Sequence, residues 1–295
     1  MTPVATYPER IVCLTEETTE TLYLLGEERR IVGISGFTVR PPRARKEKPR
    51  VCAFTSAKID VIVALKPDLV LGFSDLQADI AAALIRHGIP VHVFNQRSLG
   101  EILGMIATLG GLIGCETRAL ALIGQLTAQL DAVRERGAHL VRRPRVYFEE
   151  WDEPQIAGIR WVSELIGLAG GEDCFPELAM QSLGKDRIIA DALEVPRRAP
   201  DIILGCWCGK KFRPERVCAR PGWANVPAVE QGFVREIAAP IILQPGPAAL
   251  TDGVRALQQV ILEWGAATGN LRADAPALRP SAASAPRDTS HWSAR

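Results

Sequence analysis

Two short stretches hold most of the side chains that could do chemistry. Residues 205–211 read GCWCGKK and place two thiols, an indole and two ammonium groups directly after the apolar run PDIILG. Residues 149–154 read EEWDEP and crowd four carboxylates around an indole, again after an apolar run, RVYF. Cys206 and Cys208, spaced Cys-x-Cys, face the same way along an extended segment and offer a metal two soft ligands. A zinc site wants four donors, so the pair supplies half a set. Cys13, Cys52, Cys115, Cys174 and Cys218 add no second close pair, and His87, His92, His139 and His291 show no ligand spacing. Three readings of the thiols stay open: a zinc site, axial ligands to cobalt or haem iron, and inert lining. The carboxylates are suited to acid–base work, to holding a cation, or to a salt-bridged rim. No G-x-S-x-G, no Gly-x-Gly-x-x-Gly after a strand and no P-loop lysine motif accompanies them, which speaks against the common enzyme classes.

The elements that must position these groups alternate in an α/β pattern. The strand candidates are RIVCL (10–14), RIVGI (30–34), DLVLG (68–72), PVHVF (90–94), RVYFE (145–149) and DIILG (201–205), with a further short run at REIAAP. Helical spacing is read near 18–25, 60–65, 76–87, 162–169 and 251–263, whereas RPPRARKEKPR (40–50) is a charged, Pro-rich loop. From 99 to 140 the chain carries no proline and keeps helical spacing, which predicts one long helix bracing two lobes. The expected organisation is an α/β lobe over 9–98, the connecting helix over 99–140, a second α/β lobe over 141–266 and a disordered tail over 267–295. The halves also echo each other: Pro67, Asp68, Leu71 and Gly72 recur as Pro200, Asp201, Leu204 and Gly205.

Composition narrows the function classes. The 295 residues are 47% hydrophobic and carry 35 basic against 34 acidic side chains, a balance with no electrostatic case for nucleic acid. No apolar run is long enough to span a bilayer, so no membrane insertion is expected. The N-terminus shows no leader and the odd number of cysteines no disulfide framework. Both favour a reducing cytoplasm for the chain as it stands, with the periplasm expected if a leader was removed.

Ligands of open parallel sheets sit beyond the carboxyl ends of the strands. If the lobes face each other, then CLTEET, GFSD (72–75, with Phe73), FNQR (94–97), EEWDEP and GCWCGKK line one cleft. Trp151 and Trp207 stand among polar neighbours, and so are expected in the cleft wall, Trp207 in a loop that supports no core.

At this point a resemblance emerges. ERIVCLTEETTETLYLLGEERRIVGISGF, IDVIVALKPDLVLG, ELIGLAGGEDCF, RPGWANVPAVEQGFVREI and LQPGPAALTDGVRAL occur in an order that resembles the class III periplasmic binding proteins. These are the cobalamin, haem and ferric-siderophore binders of ABC importers, and the similarity covers roughly residues 9–265. EEWDEP and WCGK look most like the cobalamin-binding branch. The resemblance implies two Rossmann-like lobes joined by a long helix. It also implies a cleft that binds a corrinoid without catalysis, for uptake, storage or delivery. It places Phe37, Phe54, Glu149, Glu150, Trp151 and Trp207 against the ligand; Phe73 and Lys210 join them from the cleft loops, with Cys206 and Cys208 as candidate axial ligands. Haem or a ferric siderophore is the alternative cargo, and a cytoplasmic corrinoid-handling enzyme or metallochaperone the alternative of another class. The family docks on its permease through one glutamate per lobe. Here those places hold Asp60 and Leu193, with Glu194 adjacent, an atypical pair.

Overall fold

The computed structural model describes residues 6–275. Ten strands form two sheets. The first contains β1 (Ile11–Cys13), β2 (Ile31–Ser35), β3 (Arg50–Cys52), β4 (Leu69–Phe73) and β5 (Val91–Phe94), in the order β3-β2-β1-β4-β5. All its pairings are parallel, as expected of short apolar runs buried on both faces. The second contains β6 (Arg145–Asp152), β7 (Gln155–Ala157), β8 (Glu172–Asp173), β9 (Ile202–Gly205) and β10 (Val234–Glu236). Its order is β10-β9-β6-β7, with β8 also paired to β6. The antiparallel β7 returns directly from β6, and the other pairings are parallel.

The Pro-Asp echo has a common physical basis. Asp68 accepts the backbone N–H groups of Glu9 and Arg10 (both 2.8 Å) just before β1. Asp201 accepts the N–H of Arg145 (2.8 Å) at the start of β6 and is also clasped by Arg142 (2.8 and 2.9 Å). In each sheet the aspartate therefore fixes the register between the first strand and its neighbour, Ile11 with Leu69 and Val146 with Ile202.

Two expectations need correction. The stretch 99–140 forms two helices, Leu99–Leu112 and Glu116–Gly137, rather than one. The chain turns between them at Gly114, whose φ of +69° favours glycine. A methyl group at Gly110 would overlap Ala119, so the helices pack closely across the corner. The second helix alone, at 22 residues, is about 33 Å long. The tail also begins later than expected: the last helix runs Val254–Ala267, Leu271 bridges to Leu140, and Val141 donates to the Asn270 carbonyl. The disorder expected of 276–295 lies outside the described residues.

Both sheets bury one face in a single continuous core that includes Ile11, Leu71, Ile106, Leu126, Phe148 and Trp264. Their outer faces have separate cores, around Val12, Val70 and Leu84 in the first sheet and around Tyr147, Trp207 and Trp223 in the second. This arrangement leaves the carboxyl ends of the strands free to carry function.

Candidate functional site

Each sheet reverses its strand order beside its first strand, between β1 and β4 and between β6 and β9. Such a reversal leaves a crevice beyond the strand ends. Thr15–Glu17 and Ser74 stand beyond the first reversal, and Cys206–Cys208 beyond the second. Just past the first reversal, Gly246 and Ala248 of the other lobe pack on Glu17 and Glu20, so the two lobes meet at this end.

The second sheet ties its functional-looking side chains into ion pairs. Glu149 is 0% exposed. Its carboxylate accepts both terminal nitrogens of Arg220 (2.5 and 2.9 Å), the indole N–H of Trp207 (2.9 Å) and the hydroxyl of Tyr147 (3.0 Å). Burial first, then the charge of Glu149, drives the Tyr147 phenol far above its ordinary value. Glu150 is held bidentately by Arg187 (2.5 and 3.0 Å), itself only 2% exposed. Lys210 pairs with Asp152 and lies over the rings of Trp151 (4.3 Å) and Trp207 (5.0 Å). Glu149, Trp151, Trp207 and Lys210 thus come together, but inside the C-terminal lobe.

Trp207 is the principal correction. It is 4% exposed, packs edge-on against Phe212 (centroids 4.9 Å apart) and belongs to the outer core of the second sheet. Of the polar neighbours that suggested a loop residue, Lys210 is an ion-paired cation lying over the ring, and the indole beneath it does support a core. Cys206 and Cys208 do not act as a pair either. The strand ends at Gly205 and the chain turns by Cys208, which buries Cys206 in the central core and exposes Cys208. Enclosure, then Glu150 and Glu16, raises the Cys208 thiol above its usual range. Among the described residues no cluster of three or more His, Cys, Asp or Glu could hold a metal ion.

The first sheet is built differently. Glu16, Glu17 and Glu20 lie in the helix Glu16–Leu24 and are all buried. Glu20 pairs with Arg40 (2.7 Å) and accepts the N–H of Ala248 (3.0 Å) from the opposite lobe. Glu17 receives the Thr15 hydroxyl (2.6 Å) and no cation among the described residues. Burial and the charge of Glu16 push its pKa up to about 8. Gly246 lies so close that a methyl there would stand 2.5 Å from the Glu17 β-carbon. The cleft stretch CLTEET contains Glu16 and Glu17, but nothing local in the sequence shows what will pack over them or over Glu20.

The three phenylalanines sit at the carboxyl ends of β2, β3 and β4 in different settings. Phe37 is 49% exposed, Phe54 is half-buried, and Phe73 is buried beneath the Arg97 guanidinium (4.6 Å). Arg97 and Asn95, beyond β5, face Gln181, Ser182 and Asp186 across an interlobe depression of about 360 Å³. Beside it Gln96 donates to the Pro245 carbonyl (2.9 Å), and Leu99 N–H to Glu164 (2.7 Å). Gln96 Oε1 and Arg97 Nε remain buried without a hydrogen-bond partner. Asp60 and Leu193 are exposed, whereas Glu194 is engaged by Arg197 (2.6 Å) and Arg198 (2.9 Å) of its own helix.

Comparison with known proteins agrees with this architecture. The chain is 24% identical over 263 residues to an ABC transporter substrate-binding lipoprotein of Bacillus subtilis, covering 86% of this chain and 80% of that protein. It is 24% identical to a vitamin B12-binding protein of Vibrio parahaemolyticus and 28% to a cobalamin-binding protein of Halobacterium salinarum. Those matches cover 58% and 56% of this chain but only 62% and 46% of the relatives. Among solved structures, the periplasmic vitamin B12-binding protein of Vibrio cholerae superposes with a TM-score of 0.71 at 22% identity, covering 88% of this chain and 99% of that one. A periplasmic haem-binding protein of Roseiflexus gives 0.72 at 24%, covering 86% and 99%. The cytoplasmic setting expected from the sequence finds no support in these relatives. No helix among the described residues is long and apolar enough to cross a membrane. The periplasmic binding protein family matches residues 11–240, more than three-quarters of the chain, and the chain belongs to that family.

Proposed function

We propose that this protein binds a broad metal chelate, a corrinoid of the cobalamin type, between its two sheets and hands it on unchanged to the permease of an ABC importer. The observation that carries this reading is the interlobe depression, where Asn95, Arg97, Gln181 and Ser182 converge from both lobes. Its unpartnered Arg97 donor and the nearby Gln96 acceptor suit a ligand fringed with amides, because buried polar groups left unpaired are costly. The exposed ring of Phe37, beyond β2, offers such a ligand an apolar face. At about 360 Å³ the depression is at the small end for ligand sites, so a corrin enters only with the lobes further apart. Cys208, exposed beyond β9, remains the candidate thiol for a bound metal; Cys206, buried in the central core, does not.

Haem or a ferric siderophore is the alternative cargo, supported by the haem-binding Roseiflexus relative. Residence outside the cytoplasm follows the family and its lipoprotein relative, and fractionation of cells expressing the native gene tests it. Titration with cyanocobalamin and haemin, read by visible absorbance and calorimetry, tests the ligand. Saturable binding with the chelate recovered intact supports the reading. Chemical conversion of the chelate would favour the enzyme alternative.

A further inference from the structure

The C-terminal lobe reaches the N-terminal one through a short strap, residues 244–253, whose far end is a π-helical turn, Ala249–Gly253. Such turns recur at functional sites. The strap is tied to its own lobe. Just before it the Trp161 indole N–H donates to the Ile242 carbonyl (2.9 Å), and a methyl at Gly253 would overlap the Ile241 carbonyl. Within it the Thr251 hydroxyl donates to the Pro247 carbonyl (2.9 Å). Held this way, the strap moves with the C-terminal lobe.

Its grip on the N-terminal lobe is a few polar contacts around buried carboxylates. Glu20 accepts the Ala248 N–H (3.0 Å), Arg40 joins Glu20 (2.7 Å) to Asp252 (2.9 Å), and Gln96 donates to the Pro245 carbonyl (2.9 Å). Between Pro245 and Ala248, Gly246 lies against Glu17, which is 1% exposed. The titratable and charged groups around Glu17 are Glu16 and Glu20 on its own helix and Cys13 on β1, with Arg40 and Asp252 beyond Glu20. Burial pushes the Cys13 thiol up to about 12, so it stays neutral, and Arg40 is committed to Glu20 and Asp252. A charged Glu17 would thus be dehydrated beside Glu16 with the strap closed over it, which is costly. Its pKa of about 8 agrees with that geometry.

We infer that the strap is a proton-operated latch: it holds the lobes together while Glu17 is neutral and lets them part when Glu17 ionises, which opens the interlobe cleft. Parting the lobes hydrates the carboxyl and returns it towards 4.5, so the closed form binds the extra proton. Closure is therefore favoured at low pH and lost as pH rises through about 8. The latch does not depend on what the cleft binds.

Spin labels at one exposed position of each lobe, Asp60→Cys and Leu193→Cys, test it in the full chain carrying Cys208→Ser. Electron–electron distances are read at pH 5 and pH 9, with circular dichroism following the helices. One short distance is expected at pH 5. At pH 9 the ratio of a longer distance to the short one should rise about tenfold or more, the worth of one pKa unit of linkage. Glu17→Gln, which keeps the shape and removes the titration, should hold the short distance at both. Gly246→Ala, which puts a methyl 2.5 Å from the Glu17 β-carbon, should show the longer distance at both. The inference is overturned by equal distances at pH 5 and pH 9, by the same change in Glu17→Gln, by a short distance kept in Gly246→Ala, or by loss of helix in place of a distance change.

Discussion

In the C-terminal lobe, Glu149 is fully buried and receives a bidentate guanidinium, an indole and a phenol. In the N-terminal lobe, Glu17 is almost as deeply buried and receives one hydroxyl. The contrast extends to their neighbours, since Glu150 and Asp152 have cations while Glu16 has none among the described residues. Two sheets of related topology thus end in different chemistry. One end is a closed network of matched charges that holds its lobe together. The other keeps Glu17, whose pKa burial and the charge of Glu16 push up to about 8, beneath the loop 245–248 of the opposite lobe. Rigidity is therefore expected in the C-terminal lobe, and responsiveness at the seam.

The largest expected effect comes from breaking the network. Arg220→Ala leaves Glu149 as an unpaired charge in the core and should cost about 3–5 kcal/mol of folding free energy, read by urea denaturation. Trp207→Ala should cost a similar amount, about 3–5 kcal/mol, since it removes a packed indole and the Glu149 hydrogen bond together. If instead Trp207→Ala unfolds at wild-type urea concentration and only weakens chelate binding, Trp207 is a cleft residue after all.

The seam should respond to pH instead. The Glu17 pKa rises from 4.5 to about 8, so between those values the folded state holds a proton that the unfolded state has released. Stability from this group is complete below about pH 4.5, falls as pH rises through the window by up to about 1.4 kcal/mol per unit, and levels off above 8. Glu16 and Glu20, also raised, act in the same direction. Denaturation midpoints at pH 5, 7 and 9 should show that decline in the wild type and a smaller one in Glu17→Gln. An identical decline in both would show that Glu17 ionises normally.

The same contrast marks what could be read from the sequence. Parallel strands buried on both faces appear as apolar runs, so β1, β2, β4, β5, β6 and β9 were legible. β3, β7 and β8, only two or three residues each, carry no such run and exist through pairing. The Pro-Asp echo was legible because each aspartate binds backbone at a fixed place in its sheet. Trp207 was not, because Arg220, 13 positions later, reaches back to the carboxylate that the indole also binds. Nor was the packing over the seam glutamates of CLTEET, whose cover at Gly246 is more than two hundred residues away.

The smallest effect concerns the thiols and leaves stability unchanged. Cys208 is the exposed cysteine, Cys218 is half-buried and the other five are buried. A native-state assay with a thiol reagent should find one accessible group, lost in Cys208→Ser and kept in Cys206→Ser. Its reaction should be slow at neutral pH, because the raised thiol pKa keeps the thiolate scarce. Fast reaction of Cys206 would contradict its place in the central core.

The central claim, a chelate held between the lobes, is tested most directly by calorimetric titration of the folded protein with cyanocobalamin and, in parallel, haemin. Saturable one-to-one binding of one of them is expected, weakened by Arg97→Ala and accompanied by protection of Cys208 from the thiol reagent. Absence of saturable binding by either chelate, in a protein that is folded and monomeric, would contradict it.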